Sequence, residues 1–248
     1  MDGALEVLAA YGALLPNTLR PKQSTKGGLL TIDKVIPGLY ASTPEPLGFG
    51  PSLEIRAFLL QRERGNLLVY RSGMLERDIE EINALGGISR QYLNHHHEVS
   101  PACDWVANTF EAPLHVHEKE APSVSEICNV AETFSKRHYL DDDFEVIPVP
   151  GHTSGATAFL WDTEQHRCLF TGDTIFFPRG KWVAAVLDGV SDRERYIESL
   201  ELIRTLDFDL IVPGIAAAGQ PYYALVEKPE AERRIDEILE RLRRGERG

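Results

Sequence analysis

Leu93-Asn94-His95-His96-His97-Glu98 crowds three of the chain's eight histidines into one short stretch. The preceding residues, Ser89 to Leu93, read as a strand, so the histidines stand at a strand's C-terminal end, where α/β proteins usually place their chemistry. Alternate side chains of an extended segment share a face, which predicts that His95 and His97 converge while His96 faces elsewhere. Two later segments look built to deliver one ligand each: Pro150-Gly151-His152-Thr153-Ser154-Gly155 and Phe170-Thr171-Gly172-Asp173-Thr174. Three imidazoles with one carboxylate or water make a catalytic metal site that keeps a position open for a nucleophile. Imidazole and carboxylate together suit zinc first, with ferrous iron as the alternative.

Working outward, the pattern around these segments is a layered α/β domain. On the N-terminal side, Val35 to Tyr40, Leu53 to Gln61 and Asn66 to Tyr70 read as a strand meander with turns at Pro37-Gly38 and Arg64-Gly65. The Gly- and Pro-rich stretch from Thr43 to Pro51 reads as an irregular loop, long enough to be a rim or lid. Leu75 to Leu85 has helical periodicity closed by Gly86-Gly87. Past the histidines, Trp105 to Phe110 predicts a helix, Pro113 to His117 a strand and Ser123 to Arg137 a further helix. Phe144 to Val149 leads into His152. Ala156 to Trp161 and Arg167 to Phe170 form a hairpin that delivers Asp173. Ser191-Asp192-Arg193-Glu194 predicts a capping box with Ser191 at the cap, and Leu210 to Val212 a last core strand. At the ends, Leu5, Leu8, Tyr11 and Leu15 predict a short helix before a linker. Ile235, Ile238, Leu239 and Leu242 make the apolar stripe of a C-terminal helix opened by Pro229. The expected division is residues 1–28 as helix and linker, 29–226 as the main domain and 227–248 as a helix packed on it.

At 248 residues the chain can bury a substantial core, and its net charge of -12 argues against nucleic acid, which needs a basic surface. Cys103, Cys128 and Cys168 are odd in number and widely spaced, which favours reduced thiols in a cytoplasmic protein over a disulfide framework. No apolar run is long enough to span a membrane, so no membrane partner is expected. Whether the N-terminal helix packs on its own domain or makes a homodimer is left open.

Taken in order, the strand ends resemble the metallo-β-lactamase superfamily, which includes hydroxyacylglutathione hydrolases, lactonases and persulfide dioxygenases. The resemblance runs from about Ile36 to Gly219. It rests on a Pro-Gly-Leu-Tyr first strand, the Asn94 to His97 segment in place of Thr-His-x-His, the Gly-His-Thr-x-Gly loop and the Phe-Thr-Gly-Asp-Thr strand end. It implies an αββα sandwich with the metal site at one edge of its two sheets. The departures are equally specific. The family's His-x-His-x-Asp-His would put Asp and His where Val99 and Ser100 stand. Its late Pro-Gly-His is Pro213-Gly214-Ile215 here, and the Asp of its early Asp-x-Gly turn is Arg71. The first metal site (His95, His97, His152 and Asp173) is thus complete, and the second is missing.

The function this implies is a mononuclear metal-dependent hydrolase, with a metal-bound hydroxide attacking the carbonyl of a small ester, thioester or lactone. Glu98 is the nearest carboxylate to take over as general base from the missing Asp, provided its side chain turns toward the pocket. Arg179 and Lys181 are candidates for holding an anionic substrate group, with surface solvation the alternative. Two other readings stand beside it: an iron-dependent, persulfide-dioxygenase-like enzyme, and a non-catalytic binding or scaffold protein that keeps the fold. The remaining histidines read blandly. His96 is expected beside the ligands or facing solvent rather than among them, His115 and His117 at a partly exposed strand end, and His138 and His166 on the surface.

Overall fold

The computed structural model describes residues 32–47 and 53–246, and of Arg179 only the backbone. The expected N-terminal helix, its linker and residues 48–51 of the Thr43–Pro51 loop lie outside the described residues. The described chain opens on a hairpin of β1 (Asp33–Ile36) and β2 (Leu39–Ala41), turned at Pro37-Gly38. β3 (Glu45–Pro46) and β4 (Leu53–Ile55) pair antiparallel, so the Thr43–Pro51 stretch holds a short strand where only irregular structure was expected. β5 (Phe58–Leu60) and β6 (Leu67–Val69) continue the meander. Leu53 to Gln61 is therefore two strands in different sheets: Arg56 and Ala57 break it, and the Ala57 N–H bonds the Ser42 hydroxyl.

α1 (Ile79–Ala84), β7 (Arg90–Tyr92), α2 (Ala102–Phe110), β8 (Leu114–His117), α3 (Ala121–Val124) and β9 (Glu132–Phe134) complete the first sheet. Its strand order is β1-β2-β5-β6-β7-β8-β9. The second sheet holds β10 (His138–Leu140), β11 (Phe144–Pro148), β12 (Thr157–Asp162) and β13 (Arg167–Gly172). After α4 (Arg193–Thr205), β14 (Leu210–Pro213) joins it parallel to β13. β15 (Ile215–Ala217) pairs with β4 in a small third sheet, β16 (Ala224–Leu225) edges the second, and α5 (Lys228–Arg243) closes the described chain.

Period-two alternation decides which layer each side chain enters. Phe144, Val146, Phe159, Trp161, Cys168, Phe170, Leu210 and Val212 point from the second sheet at Phe58, Leu60, Leu67, Val69 and Tyr92 of the first. Their neighbours Ile147, Ala158, Leu160, Leu169 and Ile211 point the other way, onto Leu200 and Ile203 of α4 and Ile235, Ile238, Leu239 and Leu242 of α5. Leu59 and Leu68 likewise face Ile82 and Val106 of the other helical layer. The layers are therefore α, β, β, α. Aromatic rings lock the two sheets together, Tyr92 lying 5.3 Å from Phe144 and 5.5 Å from Phe159 between ring centroids. Truncating one of these buried rings to alanine costs about 3–5 kcal/mol.

The helix expected over Ser123 to Arg137 is absent. Only the single turn of α3 forms, and the chain then extends into β9, paired parallel to β8, and β10. The apolar spacing that suggested a helix is real but short, since Val124 and Cys128 both turn inward. Beyond them, pairing with an open sheet edge overrides local propensity. At α4 the cap is Asp192, whose side chain accepts from the Arg195 N–H; Ser191 is drawn off by the Leu187 N–H and the His152 carbonyl.

β11 runs antiparallel to β12, and β12 antiparallel to β13, so β11, β13 and β14 end at the same edge of the second sheet. β7 of the first sheet ends beside them, because the Thr157 N–H at the start of β12 bonds the Asn94 carbonyl. That shared edge holds the histidines.

Candidate metal centre

His95 and His97 do converge, though not by strand alternation. β7 stops at Tyr92, His95 is extended at φ -160° and ψ 171°, and His96–Glu98 then wind into one 3-10 turn. The turn changes which ring atom of each histidine can reach the centre. One donor nitrogen each from His95, His97 and His152 lies within 4.8 Å of the other two, the one such group of three or more ligating side chains among the described residues. His97 presents Nδ1, 3.3 Å from His152 Nε2. His95 Nε2 lies 3.7 Å and His152 Nε2 3.8 Å from Asp173 Oδ2.

The other ring nitrogens are tied down. His95 Nδ1 is 2.8 Å from Asn94 Oδ1, which leaves its Nε2 lone pair free; His152 Nδ1 is 2.7 Å from the Ala185 carbonyl, with the same consequence. These bonds fix tautomer and ring orientation, as outer partners of metal-ligating histidines do. His95 Nε2 is buried without any hydrogen-bond partner, which would be costly unless something else meets it. Burial holds the protonated forms of His95 and His152 down, His95 well below the ordinary histidine value and His152 at about 4; His97 is partly exposed, and desolvation together with the neighbouring His152 and His96 rings lowers it to about 4. At neutral pH all three are bare lone-pair donors. Burial pushes the Asp173 carboxyl up to about 6, with His97 pulling the other way. This donor set fits a divalent ion.

Two glycines make the site possible. Gly172 sits at φ +53°, and a Cβ there would overlap the Asn94 side chain. Gly151 sits at φ +150° with the backbone of Tyr196 in α4 packed against it, so the His152 loop can approach the helix only as glycine. Two buried tyrosines pin the strand ends. Tyr70 Oη donates to the Val212 carbonyl and accepts from the Gly172 N–H at 2.7 Å. Tyr196 Oη accepts from the Ala185 N–H and shares its proton between the Asp173 and Thr174 carbonyls. Burial raises both phenols well above their usual value, so both stay protonated.

The other expected residues fall variously. The Glu98 carboxylate turns back, Oε2 accepting from the Asn94 N–H at 2.8 Å and Oε1 lying 3.7 Å from His95 Nδ1, the ring edge away from Asp173. Burial raises its pKa well above the carboxylate range. Arg71 donates Nε–H to the Glu98 carbonyl and grips both oxygens of Glu45. Ile215 packs with Phe176, Val183 and Ala185. Lys181 is exposed. His96 is not among the three converging rings and binds Glu120 instead. His115 and His117 correct the expectation of partial exposure: at 7% and 5% they are buried, and His115 stacks on Tyr92 at 4.7 Å. The neighbouring strand β9 flanks both, and the ring of Phe134 packs on His117.

Glu120, Asn94, Tyr70 and Tyr196 carry roles that sequence reasoning missed. Asn94 alone left a signal, through its place beside His95.

A family model described as the metallo-beta-lactamase superfamily matches residues 90–215, about half the chain. An uncharacterised Bacillus subtilis (strain 168) protein, YmaE, is 32% identical over 127 residues, 48% of this chain and 44% of that protein, so the chain spans less than half of that relative's length. Among solved structures, a metallo-beta-lactamase from Pontibacter korlensis superposes with a TM-score of 0.66 at 14% identity, covering 87% of this chain and 99% of that one. The metallo-beta-lactamase GOB-18 from Elizabethkingia meningoseptica gives 0.59 at 13% identity, covering 92% and 98%. At these identities the likeness is one of fold.

Proposed function

Since the chain belongs to the metallo-β-lactamase superfamily, we propose that it is a mononuclear metal-dependent hydrolase of small esters, thioesters or lactones. The observation that carries this reading is the convergence of three imidazole nitrogens, from His95, His97 and His152, the first and last of them facing Asp173 Oδ2, with a buried His95 Nε2 that no protein group satisfies. His95, His97 and His152 would hold the ion, with Asp173 beside it. When bound, the ion supplies Lewis-acid polarisation of a carbonyl oxygen and lowers the pKa of water toward neutrality.

The chain's own residues supply the rest. Asn94 and Ala185 hold His95 and His152 in the tautomers that donate through Nε2. Asp173 offers Oδ2 on the same side as both Nε2 atoms, and it is the carboxylate placed to accept the proton of an attacking water. Without an ion, burial holds this carboxyl at about 6, so it is ionised at neutral pH and able to accept a proton. Glu98 faces the opposite edge of His95, so its part in this reading is to bind the Asn94 N–H and steady the turn.

Metal analysis of protein purified without chelators tests the proposal. About one equivalent of zinc is expected, with occupancy falling at least about tenfold in His152→Ala and Asp173→Asn, the scale of losing a ligand or its support. Hydrolysis should then be found in a screen of thioesters, esters and lactones. Iron with oxygen uptake would favour the oxygenase alternative. Wild-type protein without metal, or occupancy unchanged in both variants, would sink the enzyme reading.

A further inference from the structure

Glu120 lies past the end of β8, at the N-cap of α3, outside the segments that carry the ligands, and is 1% exposed. Its two oxygens face two different loops. Oε2 accepts from the His96 backbone N–H at 2.9 Å and from His96 Nδ1 at closer range. Oε1 accepts from the Thr153 hydroxyl at 2.8 Å and the Gly155 N–H at 2.6 Å. One carboxylate thus ties the turn carrying His95 and His97 to the loop carrying His152. A Cβ on Gly155 would come within 2.7 Å of Oε1, so the loop is packed down onto the carboxylate.

The ligand histidines differ in how much they depend on this tie. His95 and His152 each have a second nitrogen anchored, to Asn94 and to the Ala185 carbonyl. His97 has no such anchor on its other nitrogen among the described residues, and its ring is placed by the turn that Glu98 and Glu120 hold and by the His96 ring 4.3 Å from it. We propose that Glu120 is a positioning residue, acting through His96, Thr153 and Gly155 to set the spacing of the His97 and His152 donor nitrogens. The inference rests on the metal reading above.

Glu120→Gln keeps the shape but replaces one oxygen with an NH2 group. Whichever way the amide turns, one loop loses its acceptor and meets a donor instead. Zinc affinity, measured by competition with a chromophoric chelator, is expected to fall about 10- to 100-fold. The visible absorption bands of the cobalt-substituted protein should shift in position and intensity, while circular dichroism of the metal-free protein stays that of wild type. Thr153→Val, which removes one donor at near-constant shape, should weaken zinc binding, and Thr153→Ser should restore it. A folded Glu120→Gln protein with affinity within about threefold of wild type, far short of the loss of an outer partner, and an unchanged cobalt spectrum would overturn the proposal. If Glu120→Gln does not fold, equal zinc affinity of the Thr153→Val and Thr153→Ser proteins overturns it in the same way. Wild-type protein that binds neither zinc nor cobalt overturns the metal reading and this inference with it, which separates that failure from one confined to Glu120.

Discussion

Gly172→Ala should be among the most damaging single-methyl additions in the chain. Gly172 ends β13 at φ +53°, a left-handed conformation that costs a residue with a Cβ about 1–2 kcal/mol. The new methyl would also occupy the space of the Asn94 side chain. Asn94 donates from Nδ2 to the Thr157 carbonyl and, at 3.5 Å, to the Thr171 carbonyl, and its Oδ1 accepts from His95 Nδ1. Displacing it leaves buried groups on three segments without partners, at about 1–3 kcal/mol for each one orphaned. The expected loss is at least about 4 kcal/mol, read as the shift in urea midpoint of the metal-free protein by tryptophan fluorescence. Zinc affinity should fall about 10- to 100-fold, because His95 loses the bond that orients its ring. Asn94→Ala in the Gly172→Ala background removes the overlap, so the double variant should be more stable than the two single effects added together, by about 1–2 kcal/mol. A Gly172→Ala protein within about 1 kcal/mol of wild type, or strict additivity in the cycle, would refute the claim that Gly172 is glycine to make room for Asn94.

Tyr70→Phe leaves the Gly172 N–H and one Val212 carbonyl lone pair unsatisfied in a fully buried place, and should cost about 1–3 kcal/mol in thermal or urea unfolding. A neutral result would mean that water enters between the sheets. The buried His115 supplies a pH dependence away from the candidate metal site. Burial lowers its folded pKa to about 4 from 6.5, so the unfolded chain binds the extra proton. Its contribution is whole above pH 6.5 and drains as pH falls toward 4, reaching a loss of about 2 kcal/mol near pH 5. His115→Phe, which keeps a ring on Tyr92, should therefore flatten the stability profile between pH 7 and pH 5 by that amount relative to wild type; equal slopes would refute it.

The fold was legible wherever burial on two faces left a run of apolar residues. Phe144 to Val149, Ala156 to Trp161, Arg167 to Phe170 and Leu210 to Val212 could be marked as strands because each must send side chains into both the inter-sheet and the helical layer. The edge strands β9 and β10 were not legible. The segment from Ser123 to Arg137 is mostly exposed, so its residues carry no burial pattern to distinguish a helix from the strands β9 and β10, and a distant sheet edge decides. The site was legible to the degree that its chemistry is rare: clustered histidines and a Gly-Asp at a strand end have few bland explanations. Glu120 had one, as part of Glu118-Lys119-Glu120, which reads as a charged surface. Its partners lie 24 and 35 residues away, and only folding brings them to it.

The positions where this chain departs from its family are filled in a mutually consistent way. Ile215 stands where the resemblance implies a histidine, and it packs among Phe176, Val183 and Ala185, with Leu47 and Ile55 against the same cluster. An imidazole there would bury a polar ring in an apolar pocket, at a cost of about 1–3 kcal/mol without a partner. Ala185 belongs to that cluster and also supplies the carbonyl that orients His152, so the apolar packing supports the first site directly. On the other side, Arg71 replaces the early Asp and binds the carbonyl of Glu98, immediately before Val99 and Ser100. A second cation held from positions 99 and 100 would have to sit near that guanidinium, whose charge Glu45 already balances. Ile215 and Arg71 lie at separate strand ends, and each substitutes a stable interaction for a lost ligand. That pattern is what the proposed single-ion site requires. Among the buried polar atoms without a hydrogen-bond partner are Glu98 Oε1, on the far edge of the His95 ring, and His95 Nε2, the atom the candidate metal site needs free.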